Sequence, residues 1–218
     1  MSSNKKIYFY DLGLIEYREA HRIMLNLLQR RIENEIDDTV LLLEHFDVYT
    51  LGRKGVEENV IDRTIPVYRV ERGGDVTYHG PGQLVAYPIV SLTALGVGVA
   101  DFVHLLEEAC ISLLKGYGVD AGRVESKPGV WVGGKKIASI GLAVKNWVTY
   151  HGIALNVNTD LAKFYGIRPC GMDAETMTSM EKILGKRVDI SEVKKAFTSE
   201  LARLLKREPV LAASGIYI

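Results

Sequence analysis

With 218 residues, 47% of them hydrophobic and 25% charged, the chain is long enough to bury a full core and reads as one α/β or α+β domain over residues 1–218. Lys plus Arg equals Asp plus Glu at 27 each, so no net field draws nucleic acid or an acidic membrane surface; the local basic set Lys135, Lys136 and Lys145 suits an acidic protein instead. No run reaches the ~20 apolar residues of a membrane span, and the opening residues lack the pattern of a signal peptide, which together point to the cytoplasm.

Residues 7–10 are strand-like, and an apolar stripe at Tyr17, Ala20, Met24, Leu27 and Leu28 follows helical spacing. The apolar run over 39–43 has the character of a buried strand. Two β-type segments, 67–70 and 84–90, flank a glycine-rich stretch over 72–83, which places that stretch on the rim of a sheet. Helix returns over 100–115, with Phe102, Leu106, Ala109 and Leu113 on one face. Residues 130–132 and 136–144 read as a β-hairpin turned by Gly133 and Gly134, and residues 148–157 extend its sheet. Helical punctuation resumes at Asp160. The last helix opens at Ser191 as N-cap, with Val193, Phe197, Leu201 and Leu204 as its buried stripe.

Two stretches are shaped to hold and attack a substrate. The segment Arg72, Gly73, Gly74, Asp75, Val76, Thr77, Tyr78, His79, Gly80, Pro81, Gly82, Gln83 sets glycines, which let backbone N–H groups approach a ligand, among an Arg, a Tyr and a His that fix orientation. Cys170, between Pro169 and Gly171, cannot sit inside a regular helix or central strand, so it is either a thiol presented on a loop or an inert loop residue. Cys110 shares a helix face with Leu106 and Leu113 and reads as a small buried hydrophobe.

A free thiol ionises near pH 8.5 and reacts as the thiolate, so Cys170 needs a nearby cation or base. Lys136, directly after the Gly-Gly turn, can reach over the sheet rim to supply it; otherwise it is a solvated hairpin charge. His79 and His151 stand in matching contexts, Thr77-Tyr78-His79-Gly80 and Thr149-Tyr150-His151-Gly152. Either both imidazoles reach one pocket or each satisfies a local hydrogen bond. The two cysteines stand 60 positions apart with no Cys-x-x-Cys, and no two of the five histidines are closely spaced, so neither a disulfide nor a metal is expected. Residues 129–135 satisfy G-x-x-x-x-G-K, but Lys136 stands where a phosphate loop needs Ser or Thr, and β-type sequence lies on both sides.

Taken together, Arg72-Gly-Gly-x-x-Thr77-Tyr78-His79-Gly-Pro-Gly-Gln83-Leu84-x-x-Tyr87-Pro88-Ile89, Gly134-x-Lys136-Ile137-Ala138-x-Ile140-Gly141, His151-Gly152-x-Ala154-Leu155-Asn156-Val157-Asn158 and Pro169-Cys170-Gly171 resemble the lipoyl(octanoyl) transferases of lipoate biosynthesis. The resemblance runs from Glu44-His45 through Thr50-Leu51-Gly52-Arg53 to Cys170 and is weakest beyond it. It implies an α/β (α+β) fold of mixed sheets flanked by helices, like the catalytic domain of biotin and lipoate protein ligases. It also implies transfer of an octanoyl group from acyl carrier protein to a lysine of a lipoyl domain, as in 2-oxoacid dehydrogenase complexes and the glycine cleavage H protein.

By motif, the resemblance makes Cys170 the acyl-thioester nucleophile and Lys136 the residue that lowers its pKa. Substrate contacts map to Arg72 through His79, to Ser139, Ile140 and Gly141, and to Gly152, Ile153 and Ala154. A thioester donor already carries the activation an amide needs, so no cofactor, nucleotide or metal is expected. A monomer is expected. The rival readings are an ATP-dependent lipoate or biotin protein ligase, whose adenylating chemistry does not require Cys170, and a non-catalytic acyl-binding module.

Overall fold

A computed structural model describes residues 5–168 and 174–212 of the chain. Strand β1 (Lys6–Ile15) leads into helix α1 (Tyr17–Ile32), followed by β2 (Thr39–His45), β3 (Val48–Leu51), β4 (Val67–Arg69), β5 (Val76–His79) and β6 (Gln83–Ile89). The short α2 (Leu92–Leu95) and long α3 (Val99–Gly116) precede β7 (Gly122–Val124), β8 (Lys127–Val132), β9 (Lys135–Lys145) and β10 (Val148–Asn156). After α4 (Met180–Leu184) and α5 (Ile190–Leu205), β11 (Glu208–Leu211) returns to pair in parallel with β1.

The strands form two sheets. Eight lie in the order β11-β1-β2-β6-β10-β9-β8-β7, and three in the order β4-β3-β5. Only β11, β1 and β2 run parallel in the large sheet, and only β3 with β4 in the small one. Central strands of the large sheet are buried on both faces, so their two side-chain sets serve two cores. Val40 and Leu42 of β2 pack with α3 and α5, through Phe102, Leu106, Phe197 and Leu201. Leu41 and Leu43, on the other face, pack with α1 through Met24, Leu27 and Leu28. No described helix is long and apolar enough to cross a membrane.

Most of the periodicity survives folding, with three differences. The segments flanking the glycine-rich stretch belong to different sheets, because that stretch contains a strand of its own, β5, pairing with β3. Helix α5 is capped by Asp189, whose carboxylate accepts from Ser191 N at 2.9 Å and Ser191 Oγ at 2.8 Å, so Ser191 lies inside the first turn. Its stripe ends on buried Leu205, with Leu204 only half-buried, since Leu205 is four residues beyond Leu201 on the same face. The hairpin turns where expected, with Gly133 at φ +54° and Gly134 at φ +77°.

Candidate active site

The small sheet and strands β9 and β10 of the large one line a cleft that opens to solvent, the kind of concave, mostly apolar site that small molecules occupy. The loop before β5 closes one side. Gly73 N donates to Leu142 O of β9 at 2.8 Å, while Arg53 N and Lys54 N donate to Arg72 O and Gly74 O. Arg72 is buried, and its guanidinium donates to Thr50 O at 2.6 Å, Thr50 Oγ1 at 2.9 Å and Gly73 O at 3.0 Å, so it braces the loop from within. Asp75 works likewise, accepting from Val76 N at 2.7 Å and from Asn59 Nδ2 at 2.9 Å.

Arg72, Gly73, Gly74, Asp75, Val76, Thr77 and His79 border the cleft, as do Lys136, Ser139, Ile140, Gly141, Gly152, Ile153 and Ala154. Tyr78 is the exception in that stretch. Strand alternation turns it to the opposite face, where its hydroxyl donates to Asp47 Oδ1 at 2.7 Å and its ring meets Phe164 edge-on at 5.3 Å. Gly152 also has a packing reason, because a Cβ there would stand 2.2 Å from Ala86 O and 2.6 Å from Pro88 Cδ on the neighbouring strand. Tyr17, Val85, Tyr87, Phe164 and Met177 complete the apolar wall. Their sequence signal was ordinary core periodicity, which marks burial without saying what is buried against.

Cys170 lies outside the described residues. The chain on either side is anchored: Arg168 N donates to Asn59 O at 2.8 Å, and Met177 forms a parallel bridge with Lys136, whose carbonyl accepts from Thr178 N at 2.9 Å. Lys136 is half-buried, and its ammonium lies 5.5 Å from the ring centre of Trp131. Lys135 is exposed at the head of β9. Cys110 is fully buried in α3, where burial, then the charge of Glu107, pushes its thiol far above the ordinary range.

Both imidazoles of the paired tetrapeptides border the cleft, and each is also hydrogen-bonded locally, so the two readings of them coexist. His79 Nδ1 donates to Gln83 Oε1 at 2.7 Å, and burial, then neighbouring His45, holds its pKa well below the usual value. His151 adopts φ +56° within β10. The register, Ile153 with Ala86 and Val148 with Ser91, sets it across from Pro88, which has no N–H for the ladder. The His151 N–H turns instead to Met24 Sδ at 3.2 Å. Burial lowers the His151 pKa to about 4, opposed by its hydrogen bond to Glu71.

That bond belongs to a cluster. Glu71 Oε2 lies 3.3 Å from His151 Nε2 and 3.1 Å from His21 Nε2. Burial works against ionisation of Glu71, but hydrogen bonds from its own backbone and both histidines hold its carboxyl below the usual range. His21 and His151 stand 130 positions apart, so nothing in local spacing announced the meeting.

Residues 16–202 match the lipoyl protein ligase A/B catalytic domain. The chain is similar to an octanoyltransferase from Syntrophobacter fumaroxidans, 44% identical over 94% of this chain and 92% of that protein. It is also similar to an octanoyltransferase from Caldicellulosiruptor saccharolyticus, 48% identical over 84% of this chain and 81% of that protein. Among solved structures, a bipartite lipoate protein ligase from Thermoplasma acidophilum matches with a TM-score of 0.75 over 97% of this chain and 88% of that one. At 17% identity, that likeness speaks for the fold alone.

Proposed function

We propose a two-step acyl transfer for this chain, which belongs to the octanoyltransferases of the lipoyl protein ligase A/B catalytic-domain family and is an acyltransferase of lipoate biosynthesis. The donor is an octanoyl thioester on acyl carrier protein and the acceptor a lysine on a lipoyl domain, such as those of 2-oxoacid dehydrogenase complexes or the glycine cleavage H protein. The setting proposed is a cytoplasmic monomer.

In the first step the Cys170 thiolate attacks the donor carbonyl, the carrier thiolate leaves and takes up a proton, and the octanoyl group remains on Sγ. In the second, the neutral acceptor amine attacks the same carbonyl, loses its proton, and Cys170 leaves as thiolate with an amide formed. No net redox change or outside energy is required, because a thioester lies above an amide. Lys136 is the proposed cation that favours the thiolate and the proton carrier between steps. The observation that carries this reading is the cleft itself: one apolar slot bordered by Ile140, Ile153, Ala154, Phe164 and Met177, with Lys136 in its wall.

Intact-mass measurement after mixing with octanoyl-carrier protein and no acceptor tests it. One octanoyl adduct on Cys170, retained in Cys110→Ala and lost in Cys170→Ala, is the expected result. An adduct on Cys110, or transfer dependent on ATP, would overturn it.

A further inference from the structure

We propose that His21, Glu71 and His151 form a binding site for a divalent transition-metal ion of the zinc class, at the edge of the acyl cleft and apart from the transfer chemistry. The three come from helix α1, the loop after β4, and strand β10, and their ligand atoms lie within 4.8 Å of one another. Zinc holds nitrogen and oxygen at ~2.0–2.2 Å, so tetrahedral ligands around it stand about 3.4 Å apart. The 3.1 Å and 3.3 Å separations from Glu71 Oε2 already meet that spacing. The third separation, between the two imidazole nitrogens, is within 4.8 Å.

The donors also choose the ion. Two imidazoles and one carboxylate suit zinc, cobalt or nickel, whereas magnesium and calcium favour all-oxygen shells. Both rings are held before any ion arrives. His21 stacks on Tyr17, centroids 5.9 Å apart at 18°, and His151 is packed against Tyr87 and Tyr150 at the one backbone position opposite Pro88. Glu71 is about half exposed, which gives an ion a route from solvent and leaves its fourth position to water. In the hydrogen-bonded cluster each Nε2 donates its N–H to the Glu71 carboxylate; an ion takes the Nε2 lone pair instead, once the ring proton moves to Nδ1 or leaves. Because His151 also borders the cleft, a bound ion and an acyl chain would share one wall.

The test uses metal-stripped Cys170→Ala protein, which removes the proposed nucleophilic thiol as a competing ligand, and zinc titration by calorimetry. One ion per chain is expected, with affinity falling about tenfold or more in His21→Leu and in Glu71→Gln and circular dichroism unchanged in both. Excess magnesium should not displace the zinc. Absence of binding, affinity in either variant unchanged from the parent protein, or displacement by magnesium would overturn the site. Since the readout is binding to a protein that lacks the nucleophile, its failure leaves the acyl-transfer reading where it stands.

Discussion

Gln83 donates its side-chain amide to Asn156 Oδ1 at 2.9 Å across 73 positions of sequence, joining β6 to β10 beneath the cleft. The contact continues both ways. Gln83 Oε1 accepts from His79, and Asn156 Nδ2 donates to Thr178 O at 3.0 Å, beside the Thr178 N–H that holds the Lys136 carbonyl. His79 of β5 and the proposed catalytic lysine thus hang from one buried polar chain.

Asn156→Leu should therefore take from the buried Gln83 amide one of its two acceptors, leaving Tyr78 O at 3.2 Å, and remove the side-chain donor to the Thr178 carbonyl. About 1–3 kcal/mol per orphaned group is expected, seen as a lower urea midpoint at unchanged slope, together with slower acyl loading. Unchanged stability would show that water or a shifted rotamer replaces the network.

Lys136→Ala should lower octanoyl transfer by ~10²–10⁴, and Lys135→Ala, on the exposed turn, by little. Rates of transfer to a lipoyl domain make the comparison. The pH profile of thiol alkylation should move upward in Lys136→Ala alone; equal rates for the two variants would remove Lys136 from the chemistry.

Gly129 lies under the Lys136 side chain. A Cβ there would sit 2.6 Å from Lys136 Cε and 2.5 Å from Ala138 O, at φ +123°. Gly129→Ala should displace the lysine and strain β8, costing about 1–3 kcal/mol and reducing transfer. A variant with lower Tm but wild-type transfer when folded would confine Gly129 to a backbone role.

Stability should fall as acid is added, through His45. Burial, partly offset by the Ile15 carbonyl, lowers its pKa to about 4. That carbonyl can only accept, so Nδ1 carries the proton, and Nε2 accepts from the Tyr87 hydroxyl at 2.8 Å. The unfolded chain takes up the proton near pH 6.5 and the folded chain does not, so the contribution is complete above pH 6.5 and is lost as pH falls toward 4. A fully expressed shift of this size is worth about 3 kcal/mol. Urea midpoints at pH 7, 5.5 and 4.5 should drop, and less steeply in His45→Gln.

Ala154 borders the acyl slot on β10. With each buried methylene worth about 0.8 kcal/mol, octanoyl should be favoured over hexanoyl by roughly fifteenfold. Ala154→Leu should narrow or reverse that preference in competition assays with mixed acyl donors. An unchanged ratio would place the acyl chain elsewhere.

The elements and the cleft were legible along the chain to different degrees. Helix α1, the buried run of β2 and the hairpin of β8 and β9 follow from side-chain period and turn glycines, which are local properties that any fold must respect. The glycine-rich stretch also announced itself, because its residue types suit close backbone approach. Tyr78 could not be separated from His79 by such reasoning until β5 was known to be a strand, since alternation alone sends one ring into the cleft and its neighbour beneath. Pro88 looked like a plain strand residue, yet its missing N–H leaves the ladder open opposite His151. Only the tertiary structure brought His21 to His151 and Gln83 to Asn156. Those meetings depend on strand order and register across long separations, and period and composition carry no information about which distant segments become neighbours.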